Sequence, residues 1–411
     1  METGVCVVGG GPAGMVHGLL LARAGVPVVV LEKHETFLRD FRGDTVHPST
    51  LTLMDEIGLG AETAAVPHRE VDSFVMAYRG ARPLRLADLR RLKVPHPYVA
   101  FMPQWDFLEM LATAAQRLPA FTLLRSTEAV DLILQDGRVV GVRAEGPDGP
   151  LDIRAALTVA ADGRGSTVRD RLGLTPKEYG APMDVLWFRL PRRDSDPEEG
   201  LQLYVDGGHV VVTIDRGDYW QCAFIIPKNG YRKVRDGGLD AFREAMGTAV
   251  PGLADRTDAI TDWDDVKMLT VRLDRLPRWH VPGALLIGDA AHAMSPIGSV
   301  GINLAVQDAV AAARAVAAPL LAGRLSEADL AGVRRRRLFP TAGTQLMQRM
   351  LQNAIIKPAL SGAPVKPPLP ARLIDRFPVL QAIPARLIGL GLRPEHATGI
   401  PVADGSPVTT P

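Results

Sequence analysis

A chain of 411 residues with 46% hydrophobic and 23% charged residues can bury a large core in two or three interlocked units, and its composition excludes disorder and collagen-like repeats. A net charge of +1 spreads no field that would gather nucleic acid or cover a membrane surface, so neither is an expected partner. Cys6 and Cys222 are the only cysteines, which excludes a disulfide framework and a thiolate metal cluster, suits a reducing cytoplasm and leaves no metal site in view.

The glycine-broken N-terminus does not read as a signal peptide, and no unbroken apolar run of membrane-spanning length is present. Val5 to Val8 reads as a buried strand, Gly9-Gly10-Gly11-Pro12-Ala13-Gly14 as a glycine turn, and the residues through Ala24 as a helix closed by Gly25. A second strand, Val28 to Leu31, ends in Glu32. This is a βαβ unit with an acid at the ribose position, the pattern of a dinucleotide site. Gly9 permits the tight turn, Gly11 admits a pyrophosphate to the backbone, Gly14 lets helix and strand approach, and the helix N-terminus supplies partial positive charge. FAD and NAD use the same turn, so the unit alone leaves the dinucleotide open.

Between positions 71 and 94 a strand-like run precedes a basic, leucine-rich stretch. The strand Leu157 to Ala161 then leads into Asp162-Gly163-Arg164-Gly165-Ser166, a turn opening a helix. From Leu174 to about Leu273 short strands alternate, at Val185 to Leu190, Leu201 to Val205, His209 to Asp215 and Tyr219 to Ile226. They predict a mixed or antiparallel sheet inserted into the nucleotide domain. Parity counted from Pro227 puts Gln221 and Ala223 on one face and Trp220, Cys222 and Phe224 on the other. Further on, the strand Ala284 to Ile287 runs into Gly288-Asp289-Ala290-Ala291-His292, then Pro296, Gly298, Gly301, Ile302 and Asn303, and an alanine-rich helix continues to about Leu321. Arg334 to Arg337 reads as a solvated basic face. The proline-rich stretch from Ser361 reads as short helices docked through Leu373, Phe377, Val379, Leu380, Ile383, Leu387 and Leu390.

Those three motifs in order resemble the single-component FAD-dependent aromatic monooxygenases, the para-hydroxybenzoate hydroxylase family, from Val5 to about Leu321. The resemblance implies an α/β fold: a GxGxxG Rossmann-type FAD-binding domain (1–72, 98–173 and 279–325), an inserted mixed or antiparallel β-sheet substrate domain (73–97 and 174–278), and a helical C-terminal region with tail (326–411). It implies FAD held by Gly9, Gly11, Pro12, Ala13, Gly14, Glu32, Lys33, Val130, Gly288 and Gly301. Arg42 would lie near the pyrophosphate and ribityl chain, Gln104 at the ribityl or phosphate region, and Asp289 on the ribityl hydroxyls. Ile302 and Asn303 would meet the pyrimidine edge of the flavin, and Pro296 its reacting face. Asp162 and Gly163 match the signature linked to both FAD and NAD(P)H. Many relatives carry Gln where this chain has Val300, which leaves only the backbone there. His292 is expected to tie the strand end to neighbouring backbone.

In the family the substrate lies between the inserted sheet and the flavin, which makes His47, Tyr204, His209, Gln221 and Ala223 the pocket candidates. The implied reaction is hydroxylation of an aromatic or other electron-rich small molecule by NADH or NADPH and O2 through a C4a-hydroperoxyflavin, in a monomer or homodimer. Two alternatives share the scaffold, a flavin-dependent reductase of the prenyl-lipid type and a non-catalytic binding protein. The WxWxIP signature of halogenases on this fold is not reproduced at Trp187 or at Trp220 to Pro227.

Overall fold

The computed structural model describes residues 1–37, 44–196, 200–206, 208–362 and 366–403. Arg42 lies outside them. Five strands run parallel in the order Phe121–Leu124, Val28–Leu31, Glu2–Val8, Gly149–Ala160 and Ala284–Leu286, with His280–Val281 antiparallel at the edge. Their β-branched and leucine residues alternate into two cores. Val5, Val7, Val28, Val30, Leu157 and Val159 pack under the helices Pro12–Arg23, Gln104–Ala115 and Gly301–Leu321. Cys6, Val8, Val29, Leu31 and Ala160 pack under the hairpin Glu128–Gln135 and Arg138–Gly146. A strand buried on both faces needs apolar residues at every position, which is why these runs lack polar alternation.

The register fixes where the loops emerge. Val8 pairs with Ala160 and Leu31, and Ala160 with Leu286, so the carboxyl ends of four strands line up along one edge. The segment Ile297–Leu321 is long and apolar enough to cross a bilayer by length and composition, yet 67% of that window is buried in the fold. It packs on the glycine-turn helix, where His17 Nδ1 lies 3.1 Å from the Ala309 carbonyl. Burial pushes the His17 pKa from 6.5 down to about 4. The unfolded chain takes up this proton below the higher value and the native state only near the lower one. The stability is therefore full above the higher value and is lost as pH falls toward the lower, by on the order of 3 kcal/mol. Melting temperatures taken from neutral pH downward should fall over that window, and His17→Phe should flatten the fall; equal slopes would assign the loss to other groups.

A second, seven-stranded mixed sheet runs in the order Lys267–Leu269, Met183–Pro191, Tyr219–Pro227, His209–Asp215, Leu201–Asp206, Ser73–Tyr78 and Leu84–Asp88. Its outer face carries Trp220, Cys222, Phe224 and Val211 against Phe242 and Met246 of the helix Leu239–Ala249. Its inner face carries Ala223, Val185 and Ile225 toward Ile297, Ile355 and Ile356, and Val212 and Ile214 toward Phe101 and Leu89. Tyr204 pairs with Val211 and belongs to the outer cluster, and the His209 ring stands edge-on to Phe224 at 5.7 Å. The expectation that Tyr204 and His209 reach the substrate is thereby corrected, because strand alternation turns both away from the inner face.

The C-terminal stretch forms the helices Leu369–Arg376 and Ala382–Gly389. Ala385 joins the core beside Leu89 and Phe101, but Leu373, Phe377, Val379 and Ile383 are exposed, contrary to their expected docking role. The solvated reading of Arg334 to Arg337 is corrected for Arg337 alone, since Arg335 is exposed and Arg334 and Arg336 are partly so. These arginines sit on the helix Glu327–Leu351, whose turn carries Arg337 inward to zero exposure.

Candidate cofactor and active site

Each of the aligned strand ends delivers one motif. Gly9 has φ of 105°, and a Cβ there would sit 2.5 Å from the Ala161 carbonyl oxygen. At Gly14 a Cβ would sit 1.9 Å from the Gly9 oxygen, so helix and turn touch through bare backbone. Gly11, between them, is extended and has nothing within 4 Å of its missing side chain. Gly163, Gly165 and Gly301 face the same kind of open space. The Gly11 gap lies at the N-terminus of the helix that begins at Pro12 and Ala13, where amides and helix dipole attract a phosphate.

Glu32 closes one side. Its Oε2 accepts the Gly10 amide at 3.2 Å and its Oε1 the His34 amide at 3.0 Å, which fixes a buried carboxylate at the end of the second strand, where a ribose acid is expected. Lys33 next to it is surface-paired with Glu128 at 3.8 Å, and the Val130 carbonyl accepts from Arg171 Nε at 3.0 Å. The second and third motifs meet directly: Arg164 Nε donates to Asp289 Oδ2 at 2.9 Å, with both side chains about three-tenths exposed. Asp162 is turned inward, where its Oδ2 accepts the Val168 amide at 3.2 Å and burial raises its pKa against those hydrogen bonds. Ser166 caps the helix Thr167–Arg171 by accepting the Arg169 amide. With an open phosphate cradle, an acid where a ribose would lie and a partly exposed acid at Asp289, the residues fit FAD.

The loop Ile297–Ser299 before the long helix is strained, with positive φ at Gly298 (79°) and at the non-glycine Ser299 (54°). Several side chains hold it. Thr45 Oγ1 and His47 Nε2 lie 3.0 and 2.9 Å from the Ser299 carbonyl, and Gln348 Nε2 donates to the carbonyls of Ser295 and Ile297 at 2.8 and 2.9 Å. His47 Nδ1 meets the Ile388 carbonyl at 2.8 Å, so both ring nitrogens face backbone oxygens and neither is left for a phenolic proton. Burial pushes its pKa down. Asn303 is buried, its Oδ1 accepting from Ser49 and Thr50 at 2.6 and 3.0 Å, while Val300 packs on Met294 and Leu304. That leaves backbone at Gly301 and Ile302 for a ligand.

His292 bonds to a side chain rather than to neighbouring backbone through its ring. Its Nε2 lies 2.5 Å from Asp308 Oδ2, which also accepts the Gly288 amide at 3.2 Å, and Arg337 Nε donates to Asp308 Oδ1 at 2.8 Å. Arg337 Nη1 stands 3.5 Å from Glu395, which Arg314 and Arg336 also engage at 2.6 and 2.7 Å. Sequence reasoning missed this network. Asp308 and His292 hold down the turn that presents Asp289.

A second missed group lies at the polar end of the inner sheet face. Asp44 accepts from the Gln104 amide and the Gln221 side chain, and Arg216 stands 3.6 Å away, with both charged side chains under one-tenth exposed. Burial raises the Asp44 pKa although Arg216 and Arg189 oppose it. Asp44 Oδ1, Arg216 Nη1, Gln221 Oε1 and Trp187 Nε1 are all buried without a hydrogen-bond partner among the described residues. Such atoms cost about 1–3 kcal/mol each unless a ligand or water completes them.

This fold and this site define a flavoprotein, and the chain belongs to the FAD binding domain family, whose pattern matches residues 2–344. Within that family it is an FAD-dependent monooxygenase of the aromatic-hydroxylase type. It is 34% identical over 389 residues to 6-methylpretetramide 4-monooxygenase of Streptomyces rimosus, a match covering 94% of this chain and 92% of that protein. It is 27% identical over 389 residues to para-nitrophenol 4-monooxygenase of Pseudomonas sp. strain WBC-3, covering 87% and 93%. Among solved structures, OxyS anhydrotetracycline hydroxylase from Streptomyces rimosus superposes with a TM-score of 0.74 at 25% identity, over 95% of this chain and 76% of that one. The flavin-dependent brominase Bmp2, at TM-score 0.76 and 19% identity over 99% and 96%, shares the fold alone.

Asp289→Ala should weaken FAD retention by roughly 1.5–3 kcal/mol, the worth of charge-assisted hydrogen bonds. Removing the acid also frees Arg164, so Arg164→Ala is the control. Equal FAD dissociation constants for Asp289→Ala and the parent protein would remove Asp289 from the site.

Proposed function

We propose that this chain hydroxylates a phenolic, polycyclic aromatic small molecule, drawing electrons from NADH or NADPH and oxygen from O2. The carrying observation is the alignment of four strand ends, which brings the glycine cradle, Glu32, the Asp162 turn and Asp289 to one edge below the inner face of the second sheet. Bound FAD would supply the transfer of one oxygen atom to an electron-rich carbon. The chain's own residues seat that cofactor: Gly11 and its helix at the pyrophosphate, Glu32 at the ribose, Asp289 at the ribityl hydroxyls, and the Gly301 and Ile302 backbone where negative charge gathers, with Pro296 beside the reacting face. On this reading 1–72, 98–173 and 279–325 form the Rossmann-type cofactor domain, and 73–97 with 174–278 the substrate domain.

Two features support the substrate class. The inner face offers an apolar wall of Trp187, Val212, Ala223 and Ile297, ending in the donors and acceptors of Arg216, Trp187, Asp44 and Gln221. That suits a flat ring system carrying hydroxyl and carbonyl groups at one edge, and the relatives include proteins named as a 6-methylpretetramide 4-monooxygenase and an anhydrotetracycline hydroxylase. The test is purification of yellow holoprotein, followed by NADH and NADPH oxidation with a panel of polycyclic phenols and mass analysis of products. Gain of an oxygen atom supports hydroxylation; gain of hydrogens alone would install the reductase reading, and a protein that takes up no FAD would defeat both.

A further inference from the structure

A groove of about 340 Å³ opens between Tyr179 to Pro182 and the end of the long C-terminal helix, lined by Arg349, Gln352, Asn353 and Lys357. Among the described residues no acidic residue lines it. Three cations crowd its Tyr179 ring, Arg275 at 5.0 Å, Arg349 at 5.6 Å and Lys177 at 5.8 Å. Arg275 is fixed there by bonds to the Tyr179 hydroxyl at 2.7 Å and to Gln345 Oε1 at 2.8 Å. Among the described residues none of Lys177, Arg275, Arg349 and Lys357 has a carboxylate within ion-pair distance. Arg349 and Lys357 line the concavity, and Lys177 and Arg275 stand against its Tyr179 ring, which together make a field for an anion.

The groove is also coupled to the flavin loop. Its wall at Gln352–Ile356 is a π-helix, a distortion often kept at functional sites. There Gln352 turns inward to donate to Ser295 Oγ at 2.9 Å, and Gln348, one turn earlier, holds Ser295 and Ile297 on either side of Pro296. An anion in the groove therefore lies against the helix that positions the loop at the flavin's reacting face. The concavity offers cations and amide side chains, and apart from the Tyr179 ring its apolar lining is Gly180, Ala181 and Pro182, which suits a phosphate group seated beside that ring. The only complete glycine-rich βαβ unit among the described residues is the FAD cradle, so a nicotinamide dinucleotide must be held elsewhere.

We propose that this groove binds the diphosphate of the nicotinamide reductant, with Arg349 and Lys357 as its cationic contacts. The inference rests on the hydroxylase reading above. The test uses the FAD-loaded protein, anaerobic bleaching of the flavin by NADH and by NADPH, and calorimetric binding of NADP⁺ to the oxidised form. The double variant Arg349→Glu/Lys357→Glu should raise the dissociation constants of both reductants and of NADP⁺ by about tenfold or more, with FAD content and flavin spectrum unchanged. Inorganic pyrophosphate should compete with NADPH in the parent protein, a measurement that needs no variant. Unchanged constants in the variant, absence of pyrophosphate competition, or a loss confined to NADPH, which would point to the 2′-phosphate, each overturns the assignment. Weakened binding of a phenolic acid substrate with reductant binding intact would likewise overturn it. A parent holoprotein that neither reductant bleaches would instead refute the hydroxylase reading itself.

Discussion

Arg337→Met is expected to destabilise the protein by roughly 3–5 kcal/mol, the usual result of removing one partner from a buried ion pair. Arg337 has zero exposure and divides its donors among Asp308, Gln307, Glu395 and the Arg393 carbonyl. Without it, Asp308 keeps His292 and the Gly288 amide but loses the guanidinium, while Glu395 keeps Arg314 and Arg336. Contacts with His292 and Arg337 hold the Asp308 pKa below the usual carboxylate range against its burial, so the variant should lose stability at neutral pH, where the parent carboxylate is charged. Urea denaturation measures the loss. Arg337→Lys keeps a charge without the planar fork and should recover only part. FAD should also leave faster, because Asp308 anchors the turn carrying Asp289. A variant as stable as the parent would show that Asp308 does not depend on Arg337.

Two glycines of one motif should fail in opposite ways. Gly14→Ala drives a methyl to 1.9 Å from the Gly9 carbonyl, backbone against backbone, and should lower the melting temperature of cofactor-free protein because the helix must move off its strand. Gly11→Ala meets nothing within 4 Å on an extended backbone any residue can adopt, so the fold should stand. Its methyl instead enters the space assigned to the pyrophosphate, and FAD affinity should drop by at least about tenfold. Circular dichroism melts and flavin titration separate the two. Unimpaired FAD binding by Gly11→Ala would move the cradle elsewhere.

The first unit was legible because its residues answer to local constraints. The strand Val28–Leu31 begins and ends where its apolar run does, and the glycines mark close backbone approach at Gly9 and Gly14 and open space at Gly11. The inserted strand His209–Asp215 was legible for the same reason, a β-branched run between turn residues. What stayed hidden depends on partners distant in sequence. Tyr204 and His209 looked like pocket residues by chemistry, but which face a strand turns inward is settled by what covers it. Asp44 and Arg216 meet across 172 positions, and nothing local announces the pair. Asp308 did leave a signal, being a lone acid within the apolar helix Gly301–Leu321, and Arg337 sits in step with Val333 and Leu330 on the buried stripe of its helix. Helical phase, rather than the charge of the run, held that information.

Glu395 gathers arginines from the helices Gly301–Leu321 and Glu327–Leu351, one of which in turn secures the Gly288–Asp289 turn. A ribosome delivers the glycine cradle hundreds of residues before Glu395. During translation the early βαβ unit can fold and present a phosphate seat, but the clamp that fixes the ribityl end is incomplete until residue 395 has left the exit tunnel. If the proposed seats hold FAD, flavin met by the growing chain is held at one end only until the Glu395 cluster has formed, and firm capture follows that step.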